Sequence, residues 1–412
     1  MPILPIYTQF NGRHWETGSV HNVLAYQGVE IPETGHAISE AMLMGISGGA
    51  AFGYFVFDYK DTDPFVSLLS RNTFDPLDTM LERLAIPQDL FHTTDPGKGE
   101  RNLIDILEGG RPAMVWADGF SLPYNALAQD EQMWAIMPVV VYGYENGAVN
   151  VADRSSRSLS VTTDELASAR ARVKKHKFRV LALGAPDLNK LPGAIQKGIW
   201  QCIALYDEAP PKGGRDNFGF AAYEKWAKML TNTRNKQSWE RNLAPGSRMY
   251  AALAGFGFQP GAFGWARTFP SNQVDDRNLY ADFLDEAALI LGRPKLREAG
   301  EQFRVSSKSW RELSEALLPD EVPLLKEAKE LSISRRDLFL DGGGNALAEI
   351  KRINTRLLEI HSIASDEFPM SDEEVAAMRE VLSAHVMEIS AIEREAIDLL
   401  QTAMKMSGAS SE

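Results

Sequence analysis

The chain has 412 residues with a formal net charge of −13, and 44% of them are hydrophobic and 24% charged. That is enough chain for two ordinary domains with cores of their own, with the composition of a globular protein. The negative charge argues against nucleic acid as a partner, because a phosphate backbone is met with clustered positive charge.

One cysteine, Cys202, rules out an intramolecular disulfide and suits a reducing compartment. Residues 1–10 carry neither the charged nor the long apolar region of a leader. No window reaches the roughly 18 uninterrupted apolar residues of a membrane span. A cytoplasmic protein with no membrane partner is therefore expected.

Taken in order, the polar stretch 9–19 contains Gly12 and Gly18 and runs into an apolar helix over 20–26. A second short helix is expected over 38–44. The segment 45–53 carries Gly45, Gly48, Gly49 and Gly53 before an aromatic-rich strand. It lacks the lysine and Ser/Thr of a phosphate-binding P-loop, and its glycine spacing is not the dinucleotide fingerprint. Residues 75–84 and 102–109 read as helices. Residues 112–118 and 139–144 are apolar on both faces and read as buried strands. Asn146-Gly147 marks a hairpin turn returning through 148–152. The basic run 170–179 is expected as a solvated helix-to-strand connection, and 178–183 as the last strand. This mixture of helices and strands is an α+β pattern.

Beyond Pro186 strand signals give way to helical periodicity, over 195–206, 218–230, 277–291, 308–318 and 346–361. The best-defined helix is the last one. Ser371 and Glu374 form a capping box, and Val375, Met378, Leu382, Val386, Ile389, Ile392, Ala396 and Leu399 recur every three or four residues. That stripe must be covered, which makes the helix a candidate interface. The expected domains are 1–186, 187–405 and a disordered tail 406–412.

No His-x-x-x-His or cysteine pair suggests a metal, so neither metal nor cofactor is expected. His361 and His385 read as ordinary helical histidines, and Cys202 as core. The acidic clusters Asp275-Asp276 and Asp372-Glu373-Glu374 suit helix N-termini. Trp200, Trp226, Trp239, Trp265 and Trp310 read as helix-packing anchors.

Several motifs now stand in a definite order: Gln9, Gly12 and His14-Trp15-Glu16-Thr17; the glycine-rich 43–52; Asp118 with Leu122-Pro123-Tyr124; 137–144 ending in Gly143-Tyr144; and Asp153 closing the next strand. In that order they resemble the butirosin-biosynthesis protein H family, and through Asn217-Phe218-Gly219-Phe220 and the run Arg277, Tyr280 and Phe283-Leu284-Asp285-Glu286-Ala287 the helical part resembles the domain of unknown function that commonly follows it. The resemblance implies a papain-like, peptidase-C39-like N-terminal domain that transfers acyl groups through a cysteine thioester, followed by an all-α domain. It also implies a degenerate site. Trp15 stands at the nucleophile position and Met137 at the base position. Indole cannot attack a carbonyl, and a thioether cannot move a proton. Asp153 would have oriented the lost imidazole and now either pairs with Arg154 or another cation or sits solvated, and Gln9 would have donated to the oxyanion.

The expected function is a binding, scaffold or regulatory subunit without catalysis, with Trp15 plugging the old cleft. Its implied partners are an active family relative, an acyl-carrier protein or a peptide, or a second copy of itself. The rival expectation is an acyltransferase or amidohydrolase with a displaced nucleophile, Ser19 or Thr17, served by His14. Ser19 and His21 fall on different helix faces. A third expectation is a structural assembly subunit.

Overall fold

The computed structural model describes residues 3–60, 63–127, 133–208, 210–257 and 259–405. The tail 406–412 lies outside the described residues. In chain order the first half holds α1 (Thr17–Tyr26), β1 (Glu30–Ile31), β2 (His36–Ala37), α2 (Glu40–Ile46), β3 (Ala50–Phe57), β4 (Phe65–Arg71), α3 (Pro76–Arg83), β5 (Gln88–Phe91) and α4 (Pro96–Glu108). It continues with β6 (Ala113–Asp118), β7 (Ile136–Glu145), β8 (Ala148–Ala152), β9 (Leu159–Thr162), α5 (Thr163–Ala171) and β10 (Val180–Leu183). The second half is helical: α6 (Leu191–Asp207), α7 (Gly219–Thr231), α8 (Trp239–Asn242), α9 (Ser247–Ala254), α10 (Gly261–Phe263), α11 (Gln273–Ile290), α12 (Lys295–Leu317), α13 (Pro323–Gly342), α14 (Leu347–Asp366) and α15 (Asp372–Lys405). The chain thus has an N-terminal α/β region followed by an all-helical one. Among the described residues no helix is long and apolar enough to cross a membrane.

The chain forms two compact units that share it unevenly. One comprises Met1–Leu43, Met80–Leu191 and Arg335–Arg352, and the other Met44–Thr79, Pro192–Ser334 and Ile353–Glu412. The sequence suggests a single passage near 185–190; the chain passes between units five times.

In the first unit a six-stranded sheet runs in the order β5-β10-β6-β7-β8-β9, and every pairing is antiparallel. Asn146 and Gly147 hold φ of 53° and 81°, the left-handed pair that a two-residue hairpin needs between β7 and β8. β8 stops at Ala152, opposite Val140, while β7 runs on past it through Pro138 and Met137, which face Trp116 and Ala117 of β6. Asp153 leaves the sheet at that same end. Helix α5 and strand β9 went unanticipated, although Thr162 and Glu165 form a full capping box between them. The basic connection also differs in part. Its lysines are exposed, but Arg170 is buried and donates to the carbonyls of Gly99 and Phe178.

In the second unit β3 and β4 pair as a hairpin from Phe57↔Phe65 back to Ala50↔Arg71. Its inner face is covered by α7, where Phe52 stacks on Tyr223 at 3.8 Å. The glycine-rich segment serves close packing. A side chain at Gly45 would run into the Phe283 ring, and Gly48 and Gly49 hold φ of 117° and 72°. The stripe of α15 is covered within this unit by α12 and α7. Its buried side drifts toward Ile397 and Leu400, away from the expected Leu399, and takes in a charged residue, Glu393. The side chain of Glu393 is fully buried and accepts from Arg277, Tyr206, Tyr223 and Ser306. Trp226, Trp239 and Trp310 are core anchors as expected, whereas Trp200 is 42% exposed.

Candidate functional site

The loop before α1 is built by two glycines and one acid. A side chain on Gly12 or Gly18 would collide with the backbone of the other, so the loop folds flat on the helix start. Gly12 N–H donates to the Asn22 side chain at 3.0 Å. Glu40 then clamps the loop: it accepts from the backbone of Arg13 at 2.7 Å and His14 at 3.0 Å, and from the Thr17 hydroxyl at 2.8 Å. A carboxylate at a helix N-terminus is electrostatically favoured. Loop N–H groups that could stabilise an anionic nucleophile are thereby engaged with Glu40.

Trp15 is half-buried on this loop, with the His14 ring edge-on to it at 5.7 Å. Beneath it lies the Arg154 guanidinium, whose Cζ is 4.8 Å from the indole centroid and 4.9 Å from that of Phe339. A cation between two aromatic faces is attracted by both. Arg154 Nε and Nη2 donate to the two oxygens of Asp153 at 2.7 and 2.9 Å, and Nη2 also reaches Asn125 Oδ1 at 2.7 Å. Tyr124, from the Leu-Pro-Tyr motif, donates its hydroxyl to the same carboxylate at 3.1 Å. Burial alone would lower the Arg154 pKa, but Asp153 outweighs it and holds the guanidinium above its ordinary value. Burial, then Asp153, pushes the Tyr124 phenol well up.

Three features lock this arrangement. Arg154 sits at φ 55°, in the left-handed region that non-glycine residues seldom adopt. Arg13 Nη1 donates to the Arg154 carbonyl at 3.2 Å. The Leu340 carbonyl accepts from the backbone of Ser156 at 2.8 Å and from its hydroxyl at 2.7 Å. That last pairing seats the segment carrying Phe339 on the strand end.

The sequence-predicted residues divide accordingly. Asp153 takes Arg154, one of the alternatives open for it, and Trp15 packs on that same arginine. Met137 is half-buried on β7 at the sheet end where Asp153 emerges. Gln9 bonds its neighbour: its Oε1 accepts from Thr8 N–H at 3.0 Å. Thr17 donates to Glu40. Ser19 is buried. His14 Nδ1 accepts from Glu16 N–H at 3.3 Å, and His21 Nδ1 meets the Ile38 carbonyl at 2.7 Å. Asp118 ends β6 and binds Arg172 at 2.9 Å and Ser121 at 2.8 Å. Cys202 is core in the other unit, 3.2 Å from the Ala50 carbonyl, and burial pushes its thiol up to about 12. Glu40 and Phe339 were missed. Glu40 is one acid among many, and Phe339 lies 185 residues beyond Arg154 with no local pattern to flag it.

A guanidinium has five N–H donors and no acceptor, and it stays charged at any physiological pH. Where a carboxylate and an imidazole could relay a proton, a carboxylate and a guanidinium form a fixed ion pair. The site can hold charge and pack against aromatic surface, but Arg154 cannot act as a base.

Residues 14–154 match the family model of butirosin biosynthesis protein H, N-terminal. No curated protein matches the chain.

Proposed function

We propose that this chain, whose residues 14–154 form a butirosin biosynthesis protein H-like N-terminal domain, is a catalytically degenerate member of that acyltransferase-like group and acts as a binding, scaffold or regulatory subunit. A papain-like arrangement is consistent with a glycine-bent loop feeding α1, which packs on β7 of an antiparallel sheet. One observation carries the proposal. The carboxylate that should orient a catalytic imidazole is bidentate with Arg154, and it is that guanidinium on which Trp15 packs. With a thioether at Met137 and an indole at Trp15, those two positions supply neither nucleophile nor base.

The test is turnover of acyl thioesters together with labelling by serine- and cysteine-directed probes. No turnover and no labelling are expected of the natural chain. Labelling that disappears in Ser19→Ala or Thr17→Ala would establish the displaced-nucleophile enzyme in its place. A constructive arm uses Trp15→Cys. A thiol set beside the Arg154 guanidinium should have a pKa below the usual ~8.5 and alkylate faster at neutral pH than free cysteine. Adding Arg154→Met should abolish that acceleration. If the thiol of the Trp15→Cys variant shows ordinary reactivity while Arg154 is present, the geometry is contradicted.

A further inference from the structure

We infer that the outer edge of β5 is a docking strand for an extended, acidic segment of a partner protein. β5 ends the six-stranded sheet and, among the described residues, pairs only with β10. Gly184 N–H donates to the Pro87 carbonyl at 2.8 Å, one register step beyond Gln88↔Leu183. Hydrogen-bonded and non-hydrogen-bonded pairs alternate along an antiparallel ladder. Asp89 and Phe91 therefore direct their backbone groups at β10, and Gln88 and Leu90 turn theirs outward.

Every residue of β5 is exposed, and Leu90 and Phe91 keep 45% and 44% of their surface in solvent. Folded proteins usually blunt such an edge with lysine, proline or a bulge. β5 is short, at four residues, and follows Pro87, but it contains no lysine, proline or bulge itself, and its one charge, Asp89, is taken up by Arg111 at 2.6 Å.

The second observation is charge. The loop between α5 and β10 presents Lys174, Lys175 and Lys177 to solvent. The Lys177 carbonyl accepts from Thr93 N–H at 3.0 Å, and the rings of His176 and His92 meet edge-on at 4.8 Å. The 175–177 part of the loop thus lies by the C-terminal end of β5, while the Lys174 ammonium packs on the Trp134 ring at 4.3 Å, in a chain whose net charge is −13.

The loop is also held in shape. His176 and Phe178 sit at φ 56° and 47°, and buried Arg170 fixes the Phe178 carbonyl at 2.9 Å. Preorganised groups lose less freedom on binding than a loose loop would. An added strand would take its main-chain hydrogen bonds from Leu90, cover Leu90 or Phe91 with alternate side chains, and set its acids against the lysines. The surface shares no residue with the Trp15–Arg154–Asp153 cluster, so it stands or falls apart from the loss of catalysis.

The test uses the full chain and a fluorescein-labelled decapeptide of alternating valine and glutamate, followed by anisotropy. Saturable binding is expected. Lys175→Glu with Lys177→Glu should weaken it at least ~10-fold, and so should Leu90→Pro, which removes an N–H directed away from β10. N-methylating alternate amides of the probe should do the same with the protein unaltered. Absence of saturation up to about 1 mM would overturn the inference. So would equal binding of the N-methylated probe, which would mean charge alone. A dimer by light scattering that Leu90→Pro dissociates would give the edge to a second copy and overturn the acidic partner.

Discussion

Arg154 is the residue on which the cluster at the end of β8 turns. Its side chain is 11% exposed and that of Asp153 2%. Removing one member of so buried a pair leaves an uncompensated charge, typically a loss of 3–5 kcal/mol. Arg154→Met should therefore lower stability by about that amount in denaturant unfolding. Pairing it with Asp153→Asn should recover much of the loss, because both charges then leave together. If the double variant is as unstable as the single, the ion pair is not what the arginine contributes. Sequence reasoning reached this site in part. The acid was legible from its place after the strand, the arginine as one possible partner for it, and the indole from its position in the loop. That the arginine would lie between Trp15 and Phe339 was not, because nothing local specifies a contact between residues 15, 154 and 339.

At the scale of elements, the loop before α1 shows which signals carry. Gly12 and Gly18 are six apart in sequence and press backbone against backbone in the fold. The glycines were legible as a bend, and the Glu40 clamp that fixes the bend was not. Gly12→Ala should force the loop off the helix and destabilise by about 1–3 kcal/mol, the usual cost of overpacking. Thermal unfolding would check it, and an unchanged midpoint would mean the loop yields freely. Strands buried on both faces and the Asn146-Gly147 hairpin were found because period and turn chemistry are local. The short edge strands β5 and β9 were missed because four residues carry too little pattern. The N-terminal turns of long helices were missed as well. α4 begins at Pro96 behind an Asp95 cap, and α12 begins at Lys295, well before the expected 308.

At the scale of the molecule, the second unit is organised on the Arg277–Glu393 pair, 2.8 Å apart. Arg277 also donates to the Ala51 and Ser70 carbonyls, each at 2.9 Å, and so ties the β3–β4 hairpin to α15. Burial works to raise the Glu393 pKa, but Arg277 and the surrounding donors outweigh it and hold the carboxyl below its usual value near 4.5. A carboxylate depressed in the folded state adds stability that is full above its unfolded pKa. That contribution is lost as pH falls through the lower folded value. The chain should therefore lose stability below about pH 4.5. Glu393→Gln should flatten that part of the profile while costing about 3–5 kcal/mol at neutral pH, since Arg277 stays buried without its partner. An acid profile unchanged by the substitution would place the sensitivity on other carboxylates. Only the apolar spacing of α15 was legible, because a buried glutamate looks the same in sequence as a solvated one.

The segment 335–352 has a consequence for how the protein is made. The Leu340 carbonyl that receives Ser156 lies 184 residues further along the chain. At roughly 5–20 residues per second, a ribosome adds that stretch in about 10–40 s. For that interval the nascent first unit holds the Arg154 guanidinium without Phe339 against it. Completion of the first unit is therefore timed by synthesis of the helices between its parts, not by its own strands.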